Sequence, residues 1–427
     1  MSAALACPAC GRRYDRDAPR YRCDCGEPLE VAFTANDPAR RTATRALFDG
    51  RLGLRRGLAA SGVWRFRELL PAFADDQIVS KPEGNTNCYA VGADERGGPG
   101  RVGAYAGLAR LTLKHEGENP TASFKDRGMT VGASQARRLG ARAVACASTG
   151  NTAASLAAYA AQAGVPCFVF IPAGAVAAGK LAQALGYGAV TVQVAGDFDV
   201  AMRLVEAVCA DLGIYLLNSL NPYRIEGQKT IGWELLQDLN WQVPDWIVLP
   251  AGNLGNTAAL GKALVEARTA GLIDRLPRVA AVQASGAAPF YQSYLGGFAA
   301  PVTVQAETVA TAIKIGRPVS YRRAVQVIRE TNGVVAAVSD AEILAAKQII
   351  DRAGIGCEPA SAATLAGLRR LVQTGVVAPD ATVAGILTGH LLKDPETTLA
   401  TAPGAPLSVA ADPAAVATLL RTYLPGT

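Results

Sequence analysis

Ala143-Val144-Ala145-Cys146-Ala147-Ser148-Thr149-Gly150-Asn151-Thr152-Ala153-Ala154-Ser155 is the stretch that decides the fold. The small apolar residues at its start suit a buried strand, Ser-Thr-Gly-Asn is turn chemistry, and the alanine-rich run beyond favours a helix. The same unit returns along the chain. Apolar runs at residues 167–171, 190–194, 247–249, 279–283 and 383–387 are separated by Ala-rich helical stretches, the alternation beginning at about residue 100. Strands alternating with helices require parallel sheets covered on both faces. Ligands of such sheets lie beyond the carboxyl ends of the strands, so the loops that follow strands are where chemistry is expected.

Working outward, 427 residues of which 50% are apolar can bury more than one core and suit two or three domains. The net charge of +6 comes from 42 basic and 36 acidic residues dispersed along the chain, which excludes a basic nucleic-acid arm and leaves a mild attraction for small anions. Met1 to Ala6 leads straight into cysteines, without the basic and apolar segments of a secretory signal, so a cytoplasmic protein is expected. The uncharged stretch 143–179 is long enough to span a bilayer, but Ser148-Thr149-Gly150-Asn151 and Gly164-Val165-Pro166 interrupt it, and no membrane association is expected. Cys88, Cys146, Cys167, Cys209 and Cys357 are scattered singly, as in a reducing compartment.

Four further cysteines crowd the start, in Cys7-Pro8-Ala9-Cys10-Gly11 and Cys23-Asp24-Cys25-Gly26. Cys7, Cys10, Cys23 and Cys25 have the number and type of ligands for a tetrahedral zinc ion, although one residue rather than two separates the second pair. Two readings therefore stand, a zinc ribbon and a ribbon that has lost its metal. Residues 36–80 carry Arg40, Arg41, Arg45, Arg51, Arg55 and Arg56, then Gly62-Val63-Trp64-Arg65-Phe66, and read as a surface helix with a solvated basic face and a connector.

Three loops carry candidate chemistry. Pro250-Ala251-Gly252-Asn253-Leu254-Gly255-Asn256-Thr257 joins an apolar run to a helix at 258–268, and exposed amides at a helix N-terminus make a phosphate cradle or merely a tight turn. It lacks the Gly-Lys-Ser/Thr of a P-loop and the GxGxxG of a dinucleotide fold. Ser148, Thr149, Asn151 and Thr152 offer donors for a carboxylate, or an ordinary helix cap. In Glu118-Asn119-Pro120-Thr121-Ala122-Ser123-Phe124-Lys125-Asp126-Arg127-Gly128, the lysine opens a helix, where the positive dipole end favours the neutral amine that attacks an aldehyde; a surface lysine is the plain alternative.

These motifs occur in one order with Leu387-Thr388-Gly389-His390-Leu391-Leu392-Lys393-Asp394-Pro395, Asn218-Ser219-Leu220-Asn221-Pro222-Tyr223-Arg224-Ile225-Glu226-Gly227-Gln228-Lys229-Thr230 and Gly356-Cys357-Glu358-Pro359-Ala360-Ser361-Ala362-Ala363. From the first cysteines to about residue 396 the chain resembles the threonine synthase family of fold-type II, tryptophan-synthase-β-like pyridoxal-phosphate enzymes. That resemblance implies an α/β protein of two doubly wound three-layer domains with a small cysteine ribbon. Its divisions would be residues 1–35 as ribbon, 36–120 with 245–427 as the large cofactor domain, and 121–244 as a small mobile domain.

The resemblance also implies roles. Lys125 would carry pyridoxal 5'-phosphate as a Schiff base and shuttle protons, and Asn151 would bond the cofactor's phenolic oxygen. The backbone of Gly252, Asn253, Leu254, Gly255 and Asn256, helped by Thr257, would hold its phosphate, and Thr388 would face its ring nitrogen. The substrate would be O-phospho-L-homoserine, a small phosphorylated amino acid, with Ser148, Thr149 and Thr152 on its carboxylate and Lys180, Asn218 and Arg224 on its phosphate. His115 and His390 are expected to pack rather than to act as acids or bases.

Two positions depart from the family pattern. Glu83-Gly84-Asn85-Thr86 is followed by Asn87-Cys88 instead of Pro-Leu, and Ala122 stands where glycine is common. The nearest rival keeps the cofactor and uses O-phosphoserine for β-replacement, as cysteate synthase does; one methylene separates the substrates, worth about 1–3 kcal/mol of discrimination. A rival of another class is a zinc-ribbon adaptor on an inactive scaffold, against which stand the dispersed charge and the intact lysine and loops. A homodimer is the ordinary expectation for such an enzyme.

Overall fold

The computed structural model describes residues 3–34, 37–173, 178–195 and 198–424, with the side chains of residues 178–180 and 198–203 outside that description. Three short strands, β1 (Ala3–Ala6), β2 (Arg13–Tyr14) and β3 (Glu30–Phe33), form an antiparallel sheet in the order β2-β1-β3. It carries the four cysteines, whose sulfurs all lie within 4.8 Å of one another.

Two larger sheets follow. In chain order the strands are β4 (Cys88–Ala90), β5 (Arg110–His115), β6 (Val144–Ala147), β7 (Cys167–Pro172), β8 (Val190–Val194), β9 (Tyr215–Leu216), β10 (Trp246–Pro250), β11 (Arg278–Ala284), β12 (Val334–Val338) and β13 (Thr382–Leu387). The smaller sheet is wholly parallel in the order β8-β7-β6-β9, and the larger is β12-β11-β10-β13-β5-β4, parallel except for the edge strand β4. Every residue of β6 and β10 is buried, as expected of strands covered on both faces.

Both sheets reverse direction in the same way. The chain steps outward from β6 to β7 and β8, then returns to lay β9 on the other side of β6; likewise it steps from β10 to β11 and β12, then returns with β13 beside β10. Each return makes a switch point where neighbouring crossovers diverge and leave a crevice. The loops leaving β6, β10 and β13 are the ones holding Ser148–Thr152, Gly252–Thr257 and Thr388.

The segment expected as a solvated surface helix and connector is that only in part, in the short helix Arg45–Asp49, where only Phe48 is buried. Further on it forms short helical turns whose Trp64 and Phe66 are buried, with Trp64 Nε1 donating to Thr130 Oγ1 at 2.8 Å. Arg55 and Arg56 are exposed, as expected of a basic face, whereas Arg40 pairs with Glu266 at 3.1 Å, Arg51 with Glu68 at 2.7 Å, and Arg45 donates to Leu272 O at 2.7 Å. Their acceptors are distant in sequence, which is why a charge run looked merely solvated.

Behind the helix Lys125–Arg138 lies a buried network of charge. Arg127 Nε donates to Glu116 at 2.6 Å and its Nη2 to Glu234 at 2.7 Å, while Glu234 also meets Arg65 at 2.9 Å and Lys114 at 2.7 Å. Burial alone would raise the Glu234 carboxyl, but Arg127 and Lys114 overcome it and hold it well below the usual range. The network joins β5, the turn after it, the Lys125 helix and the helix Thr230–Asp238, so it fixes the rotation of the Lys125 helix. Replacing Arg127 by leucine leaves Glu116 and Glu234 buried without their cation and is expected to cost about 3–5 kcal/mol in urea unfolding; a loss below about 1 kcal/mol would contradict this role.

Candidate active site

Lys125 begins its helix because the residues before it are pinned from two sides. Phe124 N donates to Thr388 O at 3.0 Å and His390 N to Ala122 O at 3.1 Å, around a bridge between Ser123 and Gly389. The lysine loop is thereby stitched to the end of β13. On its other side Asp126 accepts from Thr121 N, Thr121 Oγ1 and Ser155 Oγ, each at 2.6 Å. Burial still pushes the Asp126 carboxyl up to about 6 against those donors. Ala122, standing where the family commonly has glycine, has φ +66°, in the left-handed region that a side chain disfavours.

Among the described residues the Lys125 amine has no hydrogen-bond partner; it rests 4.2 Å from the centre of the Phe124 ring. Burial lowers its pKa to about 7, Arg224 adds to the depression, and Glu358 opposes it. Arg224 comes from the short helix Pro222–Gln228, capped by Asn221, and is 1% exposed. Its Nη1 donates to Leu217 O at 3.3 Å, whereas Nε and Nη2 are buried without a partner. No carboxylate among the described residues pairs with it, and burial pushes even this guanidinium down to about 10. A buried cation with free donors is costly unless an anion completes it.

Beside this pair, Asn151 Nδ2 donates to both oxygens of Glu358, at 3.2 and 3.0 Å. Glu358 is buried, which raises its pKa while the Asn151 bond lowers it, and its own N donates to Gly389 O at 3.0 Å. Ser361 Oγ accepts from the amides of Thr388 and Gly389 at 2.8 and 2.9 Å and lies 2.9 Å from Thr388 Oγ1, fixing that threonine. Glu358 and Ser361 were not anticipated as site residues. Each acts by contact with residues far off in sequence, and the only local trace is an acid before the Pro359 that starts a helix.

The glycine loop turns through Leu254 at φ +62° into the helix Gly255–Thr269. A side chain at Gly252 would approach Ile313 Cα to 2.9 Å, so only glycine lets the loop lie against the 311–313 turn. Asn256 Nδ2 and Thr257 Oγ1 are buried without partners, two donors at a helix N-terminus awaiting an acceptor. The Asn253 side chain braces the loop, Oδ1 accepting from Val319 N at 2.7 Å, which leaves its backbone amide as the group toward the cradle.

Ser148, Thr149 and Asn151 are half-buried on the loop after β6, and Thr152 is buried at the start of the following helix. Ser148 Oγ accepts from Gly150 N at 3.2 Å. Asn218 exchanges bonds of 2.9 Å with the N and O of Ala147, extending the pairing of β9 with β6, so only part of its amide is free for a ligand. Lys180 is in the helix Ala178–Gly186 and its side chain lies outside the described residues. His115 is structural, accepting from Gly117 N at 3.1 Å through Nδ1 and meeting Gly356 O at 2.8 Å through Nε2, with its ring stacked on His390.

Comparison with known proteins agrees with this geometry. The family described as pyridoxal-phosphate dependent enzyme matches residues 100–389. The chain is 45% identical to a threonine synthase of Methanosarcina acetivorans over 92% of this chain and 93% of that one. It is 43% identical to a threonine synthase of Methanocaldococcus jannaschii, covering 91% and 93% of the two chains, and 48% identical to one of Mycobacterium tuberculosis, covering 82% and 93%. Among solved structures it superposes on threonine deaminase isoform 2 of Solanum lycopersicum with a TM-score of 0.63 at 20% identity, covering 75% of this chain and 89% of the other. Maize serine racemase gives 0.61 at 20% identity, covering 79% and 92%. At such identity these two likenesses speak for the fold alone.

The neutral fraction of an amine grows as pH rises through its pKa. In protein stripped of small molecules, acetylation of Lys125, followed by mass spectrometry of its peptide, is therefore expected to be half-maximal near pH 7. Arg224→Gln should move that midpoint upward, because a positive neighbour is gone; a midpoint near about 10 in the unaltered chain would contradict the electrostatics described.

Proposed function

The chain belongs to the pyridoxal-phosphate dependent enzymes and, within them, to the threonine synthase family; we propose that it converts O-phospho-L-homoserine and water to L-threonine and inorganic phosphate. The observation that carries this reading is an amine without a hydrogen-bond partner among the described residues, depressed by a buried arginine that has no acid partner there, together with a loop holding two orphan donors. An aldehyde with a phosphate, together with a second phosphorylated molecule, is the chemistry such a donor set fits.

When bound, pyridoxal phosphate supplies an electron sink that makes protons on the carbons near the substrate's amino group acidic. Lys125 is the residue that would hold it. The amides of Gly252, Asn253, Leu254, Gly255 and Asn256, with the free Asn256 Nδ2 and Thr257 Oγ1, would take its phosphate. Asn151 would turn from Glu358 to the phenolic oxygen. Thr388, held by Ser361, would meet the ring nitrogen with a neutral hydroxyl rather than a carboxylate, a setting suited to elimination.

On the substrate, Ser148, Thr149 and Thr152 are assigned to the α-carboxylate, and Arg224 with Asn218 and Lys180 to the phosphate. The Lys125 amine would remove the Cα proton and then the Cβ proton, which its low pKa permits near neutral pH. Arg224 neutralises the dianion as the Cγ–O bond breaks and phosphate leaves. Cγ is reprotonated, water adds its hydroxyl at Cβ, and a proton is returned to Cα, which completes L-threonine. Water must stay out until that last addition, which supports a small part at residues 121–244 closing on a larger one at 36–120 and 245–427.

The smaller sheet lies wholly inside the first range and the larger sheet inside the second. Nine free thiols favour the cytoplasm, and no described helix is long and apolar enough to cross a membrane. A homodimer is assigned on the general habit of such enzymes.

Protein loaded with the cofactor and given O-phospho-L-homoserine is expected to release threonine and phosphate in equal amounts. Faster turnover of O-phospho-L-serine with sulfite would move the assignment to β-replacement. Arg224→Ala should lower kcat/KM by about a hundredfold or more, with Arg224→Lys in between, since a planar charged fork is lost in the first and only partly replaced in the second.

A further inference from the structure

We propose that Cys7, Cys10, Cys23 and Cys25 bind one zinc ion tetrahedrally, and that this ion braces the ribbon against both halves of the enzyme. Cys7 Sγ lies 3.5 Å from Cys25 Sγ, Cys10 Sγ 3.5 Å from Cys23 Sγ, and Cys25 Sγ 4.0 Å from Cys10 Sγ. Thiolates at about 2.3 Å from a zinc ion stand about 3.8 Å apart along the edges of a tetrahedron. These separations fit that spacing, and they are far longer than the roughly 2.05 Å of a disulfide.

The unequal cysteine spacing does not spoil the geometry, because both pairs end alike. Cys10 and Cys25 are each followed by a glycine in the left-handed region, Gly11 at φ +73° and Gly26 at φ +87°. Gly11 N donates to Cys7 O at 2.9 Å and Gly26 N to Cys23 O at 2.8 Å, so each turn folds its second thiol back toward its first. Four thiolates around zinc carry a formal charge of −2. Arg12 and Arg20, which pair with Asp24 between Cys23 and Cys25, place cations at that spot. Binding releases the thiol protons to solvent.

A lobe this short cannot build a sufficient core of its own. Zinc would close residues 11–22 into a loop tied at both ends, and that loop grips the smaller half. Tyr223 Oη donates to Arg16 O at 2.9 Å, Gln135 Nε2 donates to the same oxygen at 3.0 Å, and Tyr21 Oη accepts from Leu216 N at 2.8 Å at the end of β9. Beyond the second pair, Arg323 donates to Pro28 O and Leu29 O, both at 2.8 Å, from the helix Tyr321–Glu330 that packs behind β11. The ribbon thus touches the Lys125 helix, the neighbour of Arg224 and the larger half together.

The test is metal content of the full chain, expressed with zinc in the medium and purified in reducing buffer. One zinc per chain should survive gel filtration and be released by a mercurial. The cobalt(II)-exchanged protein should show thiolate-to-metal charge transfer with tetrahedral d–d bands. Cys10→Ser and Cys25→Ser should lose the ion and lower the melting midpoint by about 5 °C or more, while Cys88→Ser keeps it. Wild-type protein holding under about a tenth of an ion per chain, or a cobalt spectrum without thiolate bands, would overturn the site even if the serine variants fail to fold. Zinc whose removal leaves the melting midpoint unchanged would overturn the bracing role.

Discussion

The rest of the site is arranged around a guanidinium buried without an acid partner among the described residues. Arg224 keeps two donor nitrogens unpaired in the interior and depresses the Lys125 amine beside it. One face of the Lys125 helix shows what a purely structural solution looks like: Arg65, Lys114 and Arg127 are matched there against Glu116, Glu234 and Asp238. The other side leaves its cation unmatched. Burying both arrangements within one small region makes sense if the balanced one holds the helix rigid and the unbalanced one receives an anion that arrives and leaves.

The topology gathers the other candidate loops at the carboxyl ends of the two sheets. Each parallel sheet has one switch point, and the loops leaving β6, β10 and β13 open there. The lysine is delivered from the larger sheet's β5 into a helix that packs against the smaller sheet's elements, yet its preceding residues are hydrogen-bonded to the end of β13. Lys125 therefore sits at the seam between the sheets while its backbone stays registered to Thr388. Glu358 spans the same seam through Asn151, and Ser361 holds the threonine from behind.

Much of this was legible in the sequence because buried parallel strands announce themselves as apolar runs. Strands β6, β7, β10, β11 and β13 were readable in that way, and the half-exposed edge strand β8 through its β-branched valines and threonine. Strand β5 was not, since Arg110, Lys114 and His115 interrupt its apolar pattern; Lys114 is tolerated inside only because Glu234 and Asp238 come from a helix 120 and 124 residues further on. The same blindness to distant partners hid the anchoring of Arg40, Arg45 and Arg51. At the site, Lys125, Arg224 and the glycine loop were identifiable through an ordered set of motifs. The side-chain bonds of two asparagines were not legible: Asn253 braces a loop and Asn218 extends a sheet, as decided by where neighbouring backbone amides fall.

The central claim is that one particular amine meets the cofactor aldehyde at this seam. Protein loaded with pyridoxal phosphate, reduced with borohydride, digested and mapped by mass spectrometry tests it most directly. A single phosphopyridoxyl modification, on Lys125, is expected. Modification of Lys114 or Lys229, the other lysines buried near these helices, or label spread over surface lysines with Lys125 unmodified, would contradict it.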